Sequence, residues 1–112
     1  MRIYKILPRR EWERAFEQQV YLGSEVDRAD GFIHFSTAAQ AQETARRHFA
    51  GQPGLVILEV EAGELGADLK WEPSRGGELF PHLHGALDVR LVRGVSEAPL
   101  DPDGIPLIGM LP

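Results

Sequence analysis

Apolar and polar residues follow two different periods at the start of the chain, which predicts a strand followed by a helix. Ile3 to Leu7 is a short, mostly apolar run typical of a first strand. Pro8 suits the first turn of a helix, because its missing N–H needs no partner there. In residues 9–19 apolar side chains recur at helical spacing, which predicts an amphipathic helix. Residues 23–31 are polar and are predicted to form a loop.

A second strand and a second helix are predicted after this loop. The turn signal Asp30-Gly31 precedes the run from Phe32 to Ser36, whose residues favour a short strand. Thr37 is followed three residues later by Gln40, a capping-box pattern that predicts the start of a helix. We expect the small apolar face of this helix to pack closely against a sheet. That face consists of Ala38, Ala41, Ala45 and Phe49.

The rest of the chain is predicted to form several short strands. Leu55 to Leu58 is apolar at every position, which is typical of a central strand covered on both faces. A further short strand is predicted at residues 68–71, and an irregular loop at residues 72–77. Residues 80–85 are predicted to be extended, and residues 87–92 to form the last strand.

This order of elements predicts the fold class. A strand, a helix, a strand and a helix, followed by short strands, favour an α+β fold with small mixed or antiparallel sheets. The two main helices then lie near the N-terminal half. A chain of 112 residues has the size of one domain, which we place at residues 1–95. Residues 96–112 hold four of the eight prolines and are predicted to be an extended tail packed on this domain.

Composition and charge exclude several kinds of function. The chain has no cysteine, which rules out disulfides, thiolate metal sites and a cysteine nucleophile. A net charge of −5 argues against non-specific binding to duplex nucleic acid, which requires a basic face. The apolar runs are too short for a signal peptide or for a membrane span. We therefore expect a cytoplasmic protein with no membrane partner.

His34 is the first candidate for chemistry. On a strand, Phe32, His34 and Ser36 share one face, while Ile33 and Phe35 face the core. Two polar side chains on one face beside a helix N-terminus are typical of a site for an anion or a ribose. The alternative is that the histidine only bonds to a loop and that the serine helps to cap the helix.

The second candidate is the segment Ser74-Arg75-Gly76-Gly77. Its guanidinium stands beside residues whose backbone can approach a ligand closely, which suits recognition of phosphate or carboxylate. The alternative is a flexible turn with a solvated arginine. The segment lacks the Lys-Ser/Thr ending of a phosphate-binding P-loop.

His82 and His84 form the third candidate. Two residues apart in an extended segment, they share a face and could hold a metal ion. Such a site needs a third ligand, which the sequence does not identify; Asp27 and Asp30 are candidates without further support. Pro81 indicates a rigidly presented side chain and favours direct binding or acid–base chemistry by His82.

Several of these motifs together resemble a known family. They are Ile3-Tyr4-Lys5-Ile6, a tryptophan in the first helix, the segment Asp30 to Ser36, and the stretch from Trp71-Glu72 through Phe80-Pro81-His82-Leu83-His84-Gly85. The chain resembles, from about residue 1 to residue 92, the bacterial and plant family catalogued as domain of unknown function 952. Gly-Phe-Ile-His-x-Ser and Phe-Pro-His are its two specific motifs.

The resemblance implies a fold like that of the ADP-ribosyltransferases, nearest to the NAD-dependent RNA 2′-phosphotransferases. His34 and Ser36 match the Val-His-x-Ser motif of those enzymes. Lys5 stands where their first motif has a histidine, and it cannot be assumed to repeat the role of that histidine. His84 and Ala86 depart from the expected tyrosine and proline.

The resemblance also implies a ligand, which would be NAD or a phosphorylated nucleotide. His34 would bind ribose or nicotinamide-side oxygens, Arg75 would bind phosphates, and His82 would act as donor or general base. The predicted site therefore has His34 and His82 as catalytic residues. Its predicted ligand-binding residues are Lys5, Ser36, Glu72, Arg75 and Gly76. The alternatives are a non-catalytic ligand-binding or regulatory module and a metal-dependent hydrolase.

Overall fold

A computed structural model describes residues 1–109 as three helices and three antiparallel sheets. The helices are α1 (Arg9–Gln18), α2 (Glu25–Asp30) and α3 (Ala38–His48). The strands are β1 (Arg2–Pro8), β2 (Val20–Tyr21), β3 (Ile33–His34), β4 (Ser36–Thr37), β5 (Leu55–Glu61), β6 (Leu69–Ser74), β7 (Glu78–Leu83), β8 (Leu87–Asp88) and β9 (Val92–Ala98). The sheet orders are β4-β1-β5-β9, β3-β7-β6 and β2-β8. The α+β class is confirmed.

Strand β5 lies in the middle of the largest sheet, between β1 and β9. Its residues Leu55 to Leu58 are all at most 2% exposed, as their unbroken apolar run predicts. Val56 and Leu58 join the core cluster on one side of the sheet, and Leu55 and Ile57 join the cluster on the other. The prediction of a strand covered on both faces is confirmed.

Helix α3 begins where its capping box predicts. The Thr37 side chain accepts a hydrogen bond from the Gln40 backbone N–H, and the Gln40 side chain accepts one from the Thr37 N–H. Ala41 and Ala45 are fully buried against the sheet, but Ala38 is exposed. The buried face therefore differs from the prediction, because Gln40 and not Ala38 is the buried side chain of the first turn.

The prediction of a loop at residues 23–31 is wrong, because this segment contains helix α2. The Ser24 side chain accepts from the Asp27 backbone N–H, and the Asp27 carboxylate accepts from the Ser24 N–H. This is a reciprocal cap in which aspartate takes the place of the more usual glutamate or glutamine. The helix is only six residues long, so it leaves no apolar period in the sequence.

The prediction of one strand from Phe32 to Ser36 is wrong, because two separate strands form there. The chain bends at Phe35, whose backbone N–H donates to the carbonyl of Pro81 and whose side chain is buried. Strand β3 before the bend pairs with β7, and β4 after the bend pairs with β1. His34 and Ser36 consequently belong to different sheets at the point where those sheets meet.

Two predictions in the second half of the chain also need correction. Strand β6 continues to Ser74 where an irregular loop was expected, since each of its residues pairs with β7. Residues 87–92 are not one strand, because a 3₁₀ turn at Val89–Leu91 follows β8. Strand β9 then runs from Val92 to Ala98.

The segment after β9 packs on helix α3. The Gln42 side-chain amide donates to the carbonyl of Pro106 at 2.9 Å, and its oxygen accepts from the Ile108 backbone N–H at 3.1 Å. Ile108 is buried in the cluster that lies between α3 and the sheet. The last three residues of the expected tail, 110–112, lie outside the described residues. Within residues 1–109, no helix has the length and apolar character needed to cross a membrane.

Candidate functional site

Five of the predicted site residues line one cavity of about 550 Å³. Side chains of β1, α2, α3 and the hairpin β6–β7 form its walls. The five residues are Lys5, His34, Ser36, Arg75 and His82. Glu72 and Gly76 do not belong to the lining.

The two histidines meet because their strands pair in register. His34 of β3 lies directly opposite His82 of β7, and their ring centroids are 5.5 Å apart in an edge-on arrangement. Phe32 packs against both rings, with its centroid 4.6 Å from His34 and 4.1 Å from His82. The sequence cannot reveal this pairing, since the two strands lie far apart along the chain and periodicity does not show which strands pair.

Asp27 is the central side chain that sequence reasoning did not assign to the site. Its carboxylate lies 2.6 Å from His34 Nδ1 and 2.8 Å from Lys5 Nζ, and it also accepts from the backbone N–H groups of His34 and Ser24. The side chain is 2% exposed. Its spacing from Ser24, typical of a capping box, is the signal that could have identified it.

The hydrogen-bond donors around Asp27 favour the ionised form of its carboxyl group. Burial alone would raise the pKa of the Asp27 carboxyl, but the hydrogen bond from His34 and the charge of Lys5 hold the pKa well below its ordinary value. The ammonium of Lys5 is buried beside this carboxylate. Lys5 therefore supports Asp27, and Asp27 in turn fixes one ring nitrogen of His34.

The other ring nitrogen of His34 also meets a carboxylate. Nε2 lies 2.9 Å from Oδ2 of Asp30, which stands three residues after Asp27 on the same side of α2. The Asp30 side chain is 48% exposed, in contrast with Asp27, and it lines the cavity. Helix α2, which the sequence did not predict, thus positions both acidic partners of His34.

Glu72 holds the second histidine from outside the cavity lining. Its Oε1 lies 2.9 Å from His82 Nδ1 and 2.7 Å from His84 Nε2. These hydrogen bonds, first from His84 and then from His82, lower the pKa of the Glu72 carboxyl. Within residues 1–109, Nε2 of His82 has no hydrogen-bond partner, and this ring lines the cavity.

Arg75 brings a positive charge to the cavity. Its guanidinium lies 4.6 Å above the Phe80 ring, and its Nη1 donates to Thr44 Oγ1 at 3.3 Å. Thr44 Oγ1 is 2.9 Å from Ser36 Oγ, which groups two hydroxyls beside the cation. No carboxylate of residues 1–109 forms an ion pair with Arg75. Thr44 is a further cavity residue that the sequence did not single out.

His48 lines the same cavity as Arg75. Burial is the main cause that lowers the pKa of His48, and the charges of Arg75, His34 and Arg47 lower it further. The lowered pKa favours the neutral form of His48 at pH 7, so Arg75 supplies the positive charge on this side of the cavity. A guanidinium without a carboxylate partner in the described residues attracts an anion even though the whole chain is acidic.

Two expectations about ligands have a different outcome in the structure. Gly76, with φ 71°, lies in the turn of the β6–β7 hairpin, where a side chain would meet nothing within 4 Å. Its left-handed backbone explains the glycine by turn geometry. Over residues 1–109, no group of three or more acidic or histidine side chains has an arrangement that could hold a metal ion. The metal-dependent hydrolase therefore has no ligand set in the part of the chain that is described.

Comparisons with known proteins show the family. Residues 6–95 match the model of a protein family of unknown function, DUF952. The chain belongs to this family. A DUF952 match that covers most of the chain includes all the predicted site residues except Lys5.

Solved structures resemble this DUF952 protein along nearly its whole length. The crystal structure of protein CC0527 from Caulobacter crescentus is 55% identical, with a TM-score of 0.95 over 97% of this chain and 96% of that one. The solution structure of CC0527 is 56% identical, with a TM-score of 0.87 over 96% of this chain and 93% of that one. No curated protein matches the chain.

Proposed function

We propose that this protein binds a phosphorylated small molecule of the nucleotide class in its cavity and acts on it as a transferase-like enzyme. The observation that carries the proposal is the guanidinium of Arg75, which lacks a carboxylate partner within residues 1–109 and shares a cavity with His34 and His82. Arg75 binds the phosphate, and the two histidines are the catalytic residues. NAD and ADP-ribose are the first ligands to test, in keeping with an ADP-ribosyltransferase-like fold.

The phosphate end of the cavity follows from charge and hydrogen-bond capacity. A guanidinium binds phosphate with two parallel N–H groups. The Ser36 and Thr44 hydroxyl oxygens lie 2.9 Å apart beside it, and the Thr44 hydroxyl donates to the carbonyl of Gln40. The Ser36 hydroxyl is the additional donor that we propose for the phosphate. The ring of Phe80 supports the flat face of Arg75, so the cation is held in the cavity before a ligand arrives.

The size of the cavity supports a ligand larger than phosphate alone. A volume of about 550 Å³ lies within the range of roughly 300–1,000 Å³ that small-molecule sites occupy. Its walls include the apolar residues Ile6, Leu7 and Phe49 as well as the charged ones. This mixture suits a nucleotide, which joins a flat, mostly apolar base to an anionic group.

A calorimetric titration tests the proposal directly. We expect ADP-ribose, NAD or adenosine monophosphate to bind the wild-type chain, and Arg75→Gln to weaken that binding by about tenfold or more, because a charge-assisted hydrogen bond contributes roughly 1.5–3 kcal/mol. Arg93→Gln is the matched control, since Arg93 forms an exposed ion pair with Glu64. Equal affinities in all three proteins, or no binding at all, would refute the proposal.

A non-catalytic binding module is the second candidate. The observation in its favour is that the carboxylates of Asp27 and Asp30 lie within 3 Å of the two ring nitrogens of His34. In such a module the histidine serves only to position a bound anion. Binding that depends on Arg75, without any turnover of the ligand, would favour this candidate.

A further inference from the structure

The two histidines of the cavity differ in the number of carboxylates that contact their ring nitrogens. His34 contacts two carboxylates: its Nδ1 is hydrogen-bonded to Asp27 at 2.6 Å, and its Nε2 lies 2.9 Å from Oδ2 of Asp30. Because an ionised carboxylate has no hydrogen to donate, these two contacts favour a ring that carries a hydrogen on each nitrogen. His82 has one carboxylate partner, Glu72, at Nδ1. When this ring is neutral, the contact with Glu72 favours a hydrogen on Nδ1, and the lone pair is then at Nε2. One ring is arranged to give a proton and its neighbour to take one.

The two rings are close enough to act on one bound group. They are direct partners in the β3–β7 pairing, with ring centroids 5.5 Å apart. The guanidinium of Arg75 and the hydroxyls of Ser36 and Thr44 line the same cavity. An acid, a base and a phosphate-binding cation therefore surround one space.

We infer that the substrate is a phosphodiester of the nucleotide class and that its P–O ester bond is hydrolysed between His82 as base and His34 as acid. This inference rests on the proposed function, because it needs a phosphate held by Arg75, and it makes water the acceptor of the phosphoryl group that is transferred. It adds the class of bond that is broken and a separate role for each histidine.

The reaction balances with water as the second substrate. The water oxygen attacks phosphorus while His82 Nε2 takes one of its protons. The bond from phosphorus to the leaving oxygen breaks, its electron pair stays on that oxygen, and His34 Nε2 supplies the proton. The products are a phosphomonoester and an alcohol. Transfer of a proton from His82 to solvent and from solvent to His34 restores the starting state.

The Asp30 carboxylate must move away from His34 Nε2 in this step, and its exposure to solvent allows that movement. Its side chain is half exposed, whereas Asp27 on the other ring nitrogen is buried and held by Lys5. The leaving oxygen therefore approaches Nε2 of His34, where the exposed partner stands. Asp27 keeps the ring in place throughout.

The experiment compares two esters of thymidine 5′-monophosphate that differ only in the leaving group. Methoxide needs a proton in order to leave, whereas p-nitrophenolate leaves without one. We expect wild-type protein to hydrolyse both, and His34→Asn to slow the methyl ester more than about 100-fold but the p-nitrophenyl ester less than about tenfold. His82→Asn should slow both esters alike, because the attacking water is common to them.

The paired substrates separate a catalytic role from a folding defect. A variant that fails to fold loses both activities equally, so the difference between the two esters is independent of stability. Equal slowing of both esters by a folded His34→Asn protein would overturn the acid role. Wild-type protein that binds thymidine 5′-monophosphate through Arg75 but hydrolyses neither ester would overturn this inference and leave the proposed function standing. Absence of nucleotide binding would remove both.

Discussion

At the scale of single residues, Asp27 links the core of the protein to its cavity. Its buried carboxylate neutralises Lys5 and bonds to His34, and the backbone of Ser24 adds a further donor. Removal of one member of a buried charged pair leaves the other without compensation, which is costly. Asp27 therefore supports both the stability of the chain and the position of the candidate catalytic ring.

We expect Asp27→Asn to lower the free energy of unfolding by about 3–5 kcal/mol at pH 7, because it leaves Lys5 buried beside a neutral amide. The pKa of Asp27 is lower in the folded chain, so its stabilisation is complete above the unfolded pKa of about 3.9 and is lost as pH falls through the lower folded pKa. The gap between variant and wild type should accordingly narrow below about pH 4.

Urea unfolding between pH 7 and pH 3 measures this gap. Asp103→Asn, at an exposed position, serves as the control and should match the wild type throughout. A gap that stays constant as the pH falls would mean that the carboxylate charge of Asp27 contributes nothing.

Asp30 gives a second prediction at this scale. Its half-exposed carboxylate places a negative charge in a cavity proposed to bind an anion. We expect Asp30→Asn to tighten nucleotide binding several-fold, because the removal of a like charge at about 4 Å is worth roughly 1 kcal/mol in water. Calorimetric titration measures the change. Weaker binding by this variant would show that Asp30 contacts the ligand favourably.

At the scale of elements, helix α2 carries both acidic partners of His34. Its six residues are held at the start by the reciprocal bonds of Ser24 and Asp27. Helix α3 starts with the same kind of cap at Thr37, but that helix is eleven residues long and has a buried alanine face. The shorter helix depends more strongly on its cap.

We expect Ser24→Ala and Thr37→Ala each to lower the free energy of unfolding by about 1 kcal/mol, the usual cost of losing a capping side chain. Only Ser24→Ala should also change the NMR signals of the His34 ring, since α2 holds its partners. Proton–nitrogen spectra of the imidazoles measure this effect. Unchanged His34 signals in Ser24→Ala would separate the cap of α2 from the site.

The extent to which the sequence predicts these elements depends on whether their signals are local. Thr37 and Gln40 lie within one turn, and the cap they form is confirmed. The burial of Leu55 to Leu58 can be predicted from the sequence, because every position in this run is apolar. The bend at Phe35 depends on a bond to the distant Pro81, and the contact of His34 with His82 depends on strand pairing. Both features depend on contacts between residues far apart along the chain, so periodicity along the chain does not predict them.

At the scale of the whole molecule, the C-terminal part of the described chain completes the core. Strand β9 closes one edge of the main sheet, and Ile108 then buries its side chain between that sheet and α3. Composition alone assigned this region to an extended tail, since its prolines hide the apolar contacts. The cluster that Ile108 joins also contains Tyr4 and Ile6 of β1, the strand that lines the cavity.

We expect Ile108→Ala to lower the free energy of unfolding by about 2–5 kcal/mol, the range found when a buried isoleucine is truncated. Leu107→Ala is the matched control, because Leu107 is 46% exposed and should change stability little. Chemical denaturation of both variants measures the difference. Equal stability of the two would mean that this segment does not belong to the core.

The central claim is that one cavity holds a phosphate beside two histidines of different role. A crystal structure of the protein grown with adenosine monophosphate tests it most directly. The account predicts phosphate oxygens within hydrogen-bond distance of the Arg75 guanidinium and of the Ser36 or Thr44 hydroxyl, with the nucleotide between His34 and His82. A nucleotide bound elsewhere on the molecule, with Arg75 still held between Thr44 and Phe80, would contradict the account.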